Sequence, residues 1–267
     1  MVGTPATEEE VARSTGNRLN ILQFESLELI ARITFQRLVC YQVDGRAFFG
    51  NLLESTPNGH KVRTLQGDIF GDLEATGDTL SVPNLLCPLE LTPIIQCVCL
   101  NYNHHAQEAN LTVPTYPVIF TKPFDALVGP TDHVPIHADA QAKLDFEENS
   151  LPDASGGQYC YAKSFDGFAP IGPAIWSKEV VSDPQKLKYK ALENGEVLHE
   201  TETGDMIWTV KQIIVHLSRG TTVRKGTVIM TGTSGVGFFR NRYLKDGDIV
   251  AVEVEGLGGN ANKMKFI

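Results

Sequence analysis

The sequence predicts an α+β protein made mainly of β-strands. Short apolar runs rich in β-branched and aromatic residues recur along the chain, for example at residues 38–43, 94–100 and 249–255. Turn signals separate such runs, and the Asn194-Gly195 pair is typical of a two-residue β-hairpin. Many short strands joined by turns therefore account for most of the chain.

One run has the apolar periodicity of an α-helix. Its apolar residues fall three or four positions apart, at 206, 207, 210, 213, 214 and 217. The pattern predicts a helix over residues 205–219, with Asp205 as the N-cap and Gly220 as the signal that ends it.

Composition shifts divide the chain into three parts. Residues 1–20 are polar and acidic and are expected to form a flexible leader. Residues 21–90 carry repeated hairpin signals and predict a small N-terminal β domain. A proline-rich connection follows, so residues 91–267 are predicted to form a separate, larger domain, and the candidate catalytic residue types described below lie in it.

Charge and cysteine content exclude several functions. A formal net charge of −9 argues against nucleic acid or an anionic membrane as a partner. No apolar run approaches the roughly 18 residues of a membrane-spanning helix. The five cysteines are odd in number and scattered in position, so no disulfide framework is expected. These features favour a reducing compartment, and we expect a cytoplasmic location.

The candidate catalytic groups begin in residues 97–123. An apolar run gives way to a polar segment with His105 and Glu108, which are three residues apart. That spacing places both side chains on one face of a helical turn, where a carboxylate can orient an imidazole. A second predicted strand, residues 116–122, ends at Lys122. Titratable groups at strand ends are typical of binding and catalytic sites.

Two further segments have both a functional and a structural interpretation. Glu147 and Glu148 lie in an acidic cluster that could bind a hard cation such as Mg²⁺ or Mn²⁺, or simply form a solvated turn. Lys163 enters a turn rich in glycine, proline and aromatic residues. Its ammonium could stabilise a developing negative charge, or it could be an ordinary surface lysine.

A glycine-rich loop follows the short apolar strand at residues 228–230. Its residues Thr231, Gly232 and Thr233 offer backbone N–H groups and hydroxyls to an anion such as a carboxylate. The loop lacks the lysine of a phosphate-binding P-loop, so nucleotide binding is not expected. On these residues alone, a simple anion-binding module is one possible function.

Together these motifs resemble the fumarylacetoacetate hydrolase superfamily. The resemblance covers roughly residues 94–267 and is specific because several motifs occur in order. They are Asn101-Tyr102 with His105 and Glu108, then Phe120-Thr121-Lys122-Pro123, Leu144-Asp145-Phe146-Glu147, Lys163-Ser164-Phe165-Asp166, Asn194-Gly195-Glu196, Thr231-Gly232-Thr233 and Leu244-Lys245-Asp246-Gly247-Asp248.

The resemblance implies a mixed β-roll, a homodimer and a metal-dependent enzyme acting on small keto acids. It implies that His105 and Glu108 activate water and that Lys163 stabilises an enolate. Glu147, with Glu148 beside it, would hold Mg²⁺ or Mn²⁺. The residues implied to bind substrate are Lys122, Thr231, Gly232 and Thr233. Hydrolysis of a C–C bond in a 2,4-diketo acid is the expected reaction.

The chain departs from the family pattern in its metal motif. Asn149 stands where the family has a second glutamate, and only a short segment separates Glu147 from Lys163. The family has a few dozen more residues there, including a further carboxylate ligand. Two alternatives to the hydrolase therefore stay open. One is a decarboxylase or keto–enol tautomerase of oxaloacetate-like acids, and the other is a catalytically impaired relative that has lost most metal ligands.

Overall fold

Strands dominate the part of the chain that the computed structural model describes, namely residues 35–141, 160–235 and 243–267. Sixteen strands and four α-helices lie in these ranges, and the helices are short. This content confirms the predicted α+β class with mainly β-structure. Within the same ranges, no helix is long and apolar enough to span a lipid bilayer.

The first five strands form an antiparallel sheet built from hairpins. They are β1 (Arg37–Val43), β2 (Arg46–Thr56), β3 (Gly59–Gly67), β4 (Leu73–Val82) and β5 (Leu85–Leu86), with β5 pairing with β1. Asp44 and Gly45 join β1 to β2 with φ angles of 48° and 78°, which suit a two-residue hairpin turn. The predicted hairpins of this part of the chain are therefore present.

A strand from much later in the sequence completes this sheet. Strand β11 (Ile175–Trp176) pairs antiparallel with β1, so that Arg37 lies opposite Trp176. The guanidinium of Arg37 also lies 5.5 Å from the centre of the Trp176 ring. The sheet thus includes residues from both sides of the predicted domain boundary at residue 90, and that boundary stays a prediction.

A three-stranded sheet carries the segments with the candidate site. Its strands are β6 (Ile95–Cys99), β7 (Val118–Lys122) and β14 (Val228–Met230), in the order β14-β6-β7. Strands β14 and β6 run parallel, with Met230 opposite Cys97. Because parallel strands have their C-terminal ends on the same side of a sheet, the segments after Cys99 and Met230 start side by side. Strand β7 runs antiparallel to β6, so its last residue, Lys122, lies opposite Ile95 at the start of β6.

The one long predicted helix is present but begins later than predicted. Helix α4 (Val210–Ser218) packs Ile213 and Leu217 against Val98 of β6. The prediction of Asp205 as its N-cap is wrong. Thr209 is the N-cap and forms a capping box with Gln212, in which each side chain satisfies a backbone N–H of the first turn.

Asp205 has a different structural role, which explains the error. It ends a 3₁₀ turn, Thr203–Asp205, and its carboxylate accepts a hydrogen bond from the backbone N–H of His104 at 3.0 Å. The side chain of Asn103 donates to the backbone oxygen of Asp205 at 2.8 Å. Asp205 therefore supports the start of the helix Asn103–Glu108. The residues next to Asp205 in the sequence do not indicate this role.

The C-terminal part of the chain forms a five-stranded sheet. Its strands are β9 (Val134–Ile136), β12 (Lys188–Glu193), β13 (Glu196–Glu202), β15 (Ile249–Val254) and β16 (Gly258–Phe266), in the order β13-β12-β15-β16-β9. The Asn194-Gly195 turn joins β12 to β13 with φ angles of 52° and 83°, as the hairpin prediction requires.

Short elements connect these sheets. Strand β8 (Leu127–Val128) pairs parallel with β10 (Ala169–Pro170). The remaining helices are α1 (Asn103–Glu108), α2 (Ala138–Gln141) and α3 (Cys160–Lys163), together with a 3₁₀ turn at Phe124–Ala126. Ala126 and Ala169 are fully buried and pack against Ile95 and Cys97 on the face of the three-stranded sheet that is turned away from α4. That sheet is therefore covered on both faces.

Candidate active site

Helix α1 places His105 and Glu108 directly after strand β6. His105 is buried, whereas Glu108 is exposed one helical turn further on. Burial lowers the pKa of His105, and the negative charge of Glu108 opposes that shift only in part. The imidazole is therefore neutral at neutral pH and able to accept a proton. This geometry agrees with the helical spacing predicted for the pair.

Lys122 is a buried amine at the end of strand β7. Its side chain is 8% exposed, and its Nζ donates a hydrogen bond to the backbone oxygen of Phe168. The pKa of Lys122 is lowered to about 8, mainly by burial; Cys97 opposes this shift, and the positive charge of Lys163 adds to it. An amine of this kind can exchange a proton near neutral pH.

Lys163 lies near Lys122 and near Cys97 and Cys99, two residues that share one face of β6. It is the last residue of α3, whose first residue Cys160 lies 3.9 Å from the hydroxyl of Thr121 in β7. Burial lowers the pKa of Lys163, and the nearby cysteines Cys99 and Cys97 oppose the shift. The structure thus brings together two lysines that are 41 positions apart in sequence, and it favours a desolvated site over a surface position for Lys163.

Two cysteines of β6 line the sheet face next to these amines. Cys97 and Cys99 alternate with Val98 and share the face on which Lys122 lies, as the strand pattern predicts. Burial raises the pKa of the Cys97 thiol to about 11 and also raises that of Cys99. Both thiols are therefore neutral, so they surround the amines with a weakly polar environment that strengthens electrostatic effects.

The predicted substrate loop begins where β14 ends. Thr231 is half-buried, Gly232 and Thr233 are exposed, and the hydroxyl of Thr233 donates to the backbone oxygen of Gly235 at 3.2 Å. Gly232 has a φ of 111°, a conformation that favours glycine. The glycine-rich sequence continues to Gly237, and residues 236 and 237 lie outside the described residues.

Asn101 was not predicted to have a role, yet it connects these segments. Its side-chain nitrogen donates to the backbone oxygens of Thr231 at 2.7 Å and Trp208 at 3.1 Å, and its side-chain oxygen accepts from the N–H of Trp208 at 2.8 Å. Asn101 is fully buried. An asparagine two residues after the end of a buried strand is a signal that sequence reasoning could have used.

The predicted metal ligands Glu147 and Glu148 lie outside the described residues. Within residues 35–141, 160–235 and 243–267, no group of three or more His, Cys, Asp or Glu side chains could hold a metal ion. Glu108 is the predicted site carboxylate in these ranges, and one carboxylate is a poor site for Mg²⁺. The described residues by themselves therefore do not fit a resident divalent cation.

The sequence matches the family model described as "Fumarylacetoacetate (FAA) hydrolase C-terminal" in two adjacent pieces, residues 94–149 and 150–265. The pieces meet between Asn149 and Ser150, where the chain is shorter than the family pattern. A mitochondrial oxaloacetate tautomerase of Xenopus laevis is 32% identical over 215 residues, and the alignment covers 67% of this chain and 67% of that protein. The 215 aligned positions are more than 67% of a 267-residue chain, so the alignment contains gaps in this chain where the relative has additional residues.

Solved structures show the same fold. The 2-hydroxyhepta-2,4-diene-1,7-dioate isomerase of Mycobacterium marinum is 26% identical with a TM-score of 0.69, covering 86% of this chain and 98% of the isomerase. The fumarylacetoacetate hydrolase of Exiguobacterium antarcticum is 26% identical with a TM-score of 0.70, covering 86% and 99%. On the match to its family model and these relatives, the chain belongs to the fumarylacetoacetate hydrolase family, whose members are enzymes.

Proposed function

We propose that the protein is an enzyme that interconverts the keto and enol forms of a small 2-keto dicarboxylic acid of the oxaloacetate type. The observation that carries this proposal is a pair of desolvated amines, the buried Lys122 and the half-buried Lys163. The name of the Xenopus laevis relative, an oxaloacetate tautomerase, supports the same substrate class. The loop Thr231–Thr233 would hold a substrate carboxylate.

The lysines would divide the two proton transfers of the reaction. With a pKa of about 8, about a tenth of Lys122 is neutral at pH 7 and can accept the proton from the carbon next to the ketone. The ammonium of Lys163 would give its proton to the ketone oxygen and stabilise the enolate that forms. The transfers leave Lys122 charged and Lys163 neutral, and solvent then restores both amines.

The test follows the ultraviolet absorbance of the oxaloacetate enol as it decays to the ketone. The wild-type protein should accelerate the decay, and Lys163→Met should reduce kcat by about 100-fold or more. Lys178→Met is the matched control because Lys178 is exposed and lies outside the site. A wild-type rate equal to that of buffer alone would refute the tautomerase proposal.

Hydrolysis of a C–C bond in an acylpyruvate is the second candidate, because the structure contains a neutral buried imidazole beside a carboxylate. His105 could take a proton from water, and Glu108 would stabilise the resulting imidazolium. The expected result is that His105→Ala abolishes hydrolysis while His104→Ala, which changes the exposed neighbour, does not. Equal hydrolysis by both variants would show that the pair does not activate water.

A divalent cation, Mg²⁺ or Mn²⁺, is part of the proposal, with Glu147 and Glu148 as its ligands. When bound, it would polarise the keto oxygen of the substrate. Calorimetric titration with MnCl₂ tests this, and Glu147→Gln should weaken binding at least about tenfold, whereas the exposed Glu179→Gln should not. If millimolar metal gives no heat of binding, the impaired-relative alternative is favoured instead.

The proposed assembly is a homodimer in the cytoplasm. Sedimentation equilibrium measures the mass in solution directly. A mass equal to one chain at all protein concentrations would contradict the dimer.

A further inference from the structure

Asn101 makes an unusually complete set of hydrogen bonds between separate parts of the chain. Both side-chain N–H donors and the side-chain oxygen are used, on Thr231 and Trp208. In addition, the backbone oxygen of Asn101 accepts from the N–H of Ile207 at 2.8 Å. These bonds lie in a fully buried position, where a lost partner is more costly than at the surface.

The hydrogen bond to Thr231 fixes the start of the substrate loop at its first residue. The next residue, Gly232, then passes very close to Asn101. A Cβ atom built on Gly232 would lie 3.0 Å from the Cβ of Asn101 and 3.2 Å from the backbone oxygen of Val98. The loop therefore has one well-defined position against the end of β6, set on one side by a hydrogen bond and on the other by van der Waals contact.

Asn101 also lies at the start of the segment that carries His105. The next residue, Tyr102, is the N-cap of α1 and forms a β-bridge with Met206. One residue thus relates the predicted carboxylate-binding loop to the helix with the His105–Glu108 pair. Parallel pairing of β14 with β6 alone brings the two segments to one edge, but it does not fix their separation.

We propose that Asn101 is a positioning residue that holds the loop Thr231–Thr233 against the start of helix α1 and thereby sets how tightly the enzyme binds the carboxylate of its substrate. This inference rests on the proposed function, in which that loop receives the carboxylate. Asn101 would act through the loop and would not contact the reacting atoms.

The test replaces Asn101 by its isostere in Asn101→Asp. The aspartate keeps an acceptor for Trp208 but loses the donors to Thr231 and Trp208, so KM for oxaloacetate should rise about tenfold while kcat changes less than about threefold. The KM defect should shrink at lower pH, because a protonated carboxyl group can again donate to the oxygen of Thr231.

Asn262→Asp is the matched control. Asn262 is 2% exposed and its side-chain nitrogen likewise donates to two backbone oxygens, those of Gly129 at 2.8 Å and Asp132 at 2.9 Å. Asn262→Asp therefore also loses two side-chain hydrogen-bond donors to backbone oxygens, but at another place in the fold. An equal rise in KM in both variants would mean that general destabilisation is the cause, and the inference would be overturned.

A second readout does not depend on activity. Hydrogen–deuterium exchange followed by mass spectrometry should be faster in peptides covering residues 228–235 of Asn101→Asp than in the same peptides of Asn262→Asp. If the wild-type protein has no tautomerase activity, the proposed function fails while this exchange result still reports on Asn101. Unchanged exchange in the loop overturns the positioning role.

Gly232→Ala serves if Asn101→Asp does not fold. The added methyl group must push the loop away from Asn101, so KM should rise with little change in kcat, as in the asparagine variant. Where both variants fold, combining them should add little to either effect, since both disturb one contact. An unchanged KM in Gly232→Ala would argue against the inference by itself.

Discussion

The N-terminal sheet and the three-stranded sheet differ in the kinds of side chain that they bury. In strands β1–β5, the described residues that are buried are apolar or aromatic or lack a side chain, such as Val39, Tyr41 and Val62. At the three-stranded sheet and its ends, Asn101, His105 and Lys122 are buried as well. Burying such groups costs free energy unless they are hydrogen-bonded or lose their charge.

That difference has a chemical consequence. Desolvation makes it costly in free energy to bury polar groups at the three-stranded sheet. It is also the largest cause of the lowered pKa values of His105, Lys122 and Lys163. The N-terminal sheet contributes stability, whereas the three-stranded sheet gives up stability for groups that can exchange protons near neutral pH. The two regions should therefore respond in opposite ways to mutation.

The largest expected effect is on catalysis, in Lys122→Met. Loss of the proposed base should reduce the tautomerase kcat by about 100-fold. The melting temperature should not fall, because methionine fills the same space without a charge to desolvate. Lys61→Met, an exposed lysine in the N-terminal sheet, should change neither quantity. A Lys122→Met protein that unfolds readily would contradict the contrast between the two sheets.

The next effect is on stability, in Val62→Ala. Val62 is fully buried in the N-terminal sheet, and the cavity left by two methyl groups should lower the free energy of unfolding by about 2 kcal/mol. Activity per folded molecule should stay at the wild-type level. Chemical denaturation measures the first quantity, with the exposed Val43→Ala as the control. Loss of turnover in the folded variant would show that the sheets are functionally coupled.

The pH dependence of turnover sharpens the assignment of the base. Lys122 must be neutral to accept a proton, and its pKa is lowered to about 8. For conversion of the ketone to the enol, followed as a rise in enol absorbance, the neutral fraction and with it kcat should therefore rise as pH increases through 8, by about tenfold between pH 7 and pH 9. The low residual rate of Lys122→Met should lack this rise. The same profile in both proteins would assign the titration to another group.

The smallest effect is expected at the helix that covers the three-stranded sheet. In Thr209→Ala, the capping box of α4 loses the hydroxyl that accepts a hydrogen bond from the backbone N–H of Gln212. The substitution should lower the free energy of unfolding by about 1 kcal/mol. Turnover should be unaffected because Thr209 is not part of the proposed site. Thr79→Ala, at an exposed position in β4, is the control. Equal stability of the two variants would mean that the cap contributes nothing.

Local patterns predicted much of the fold and part of the site. The strand before Asn101, the helical turn with His105 and Glu108, and the Asn194-Gly195 hairpin all depend on neighbouring residues, and each is present. The cap of α4 was predicted at Asp205 because that residue type precedes a periodic run. A distant partner, the N–H of His104, occupies its carboxylate instead.

The sequence alone determined the strand-rich fold class, the residue types of the candidate site and the family to which the chain belongs. Only the tertiary structure decided the parallel pairing of β14 with β6, the approach of Lys163 to Lys122, and the three side-chain hydrogen bonds of Asn101. The reason is physical. Strand and turn propensities act over a few residues, whereas a desolvated amine acquires its pKa from segments that meet only when the chain folds.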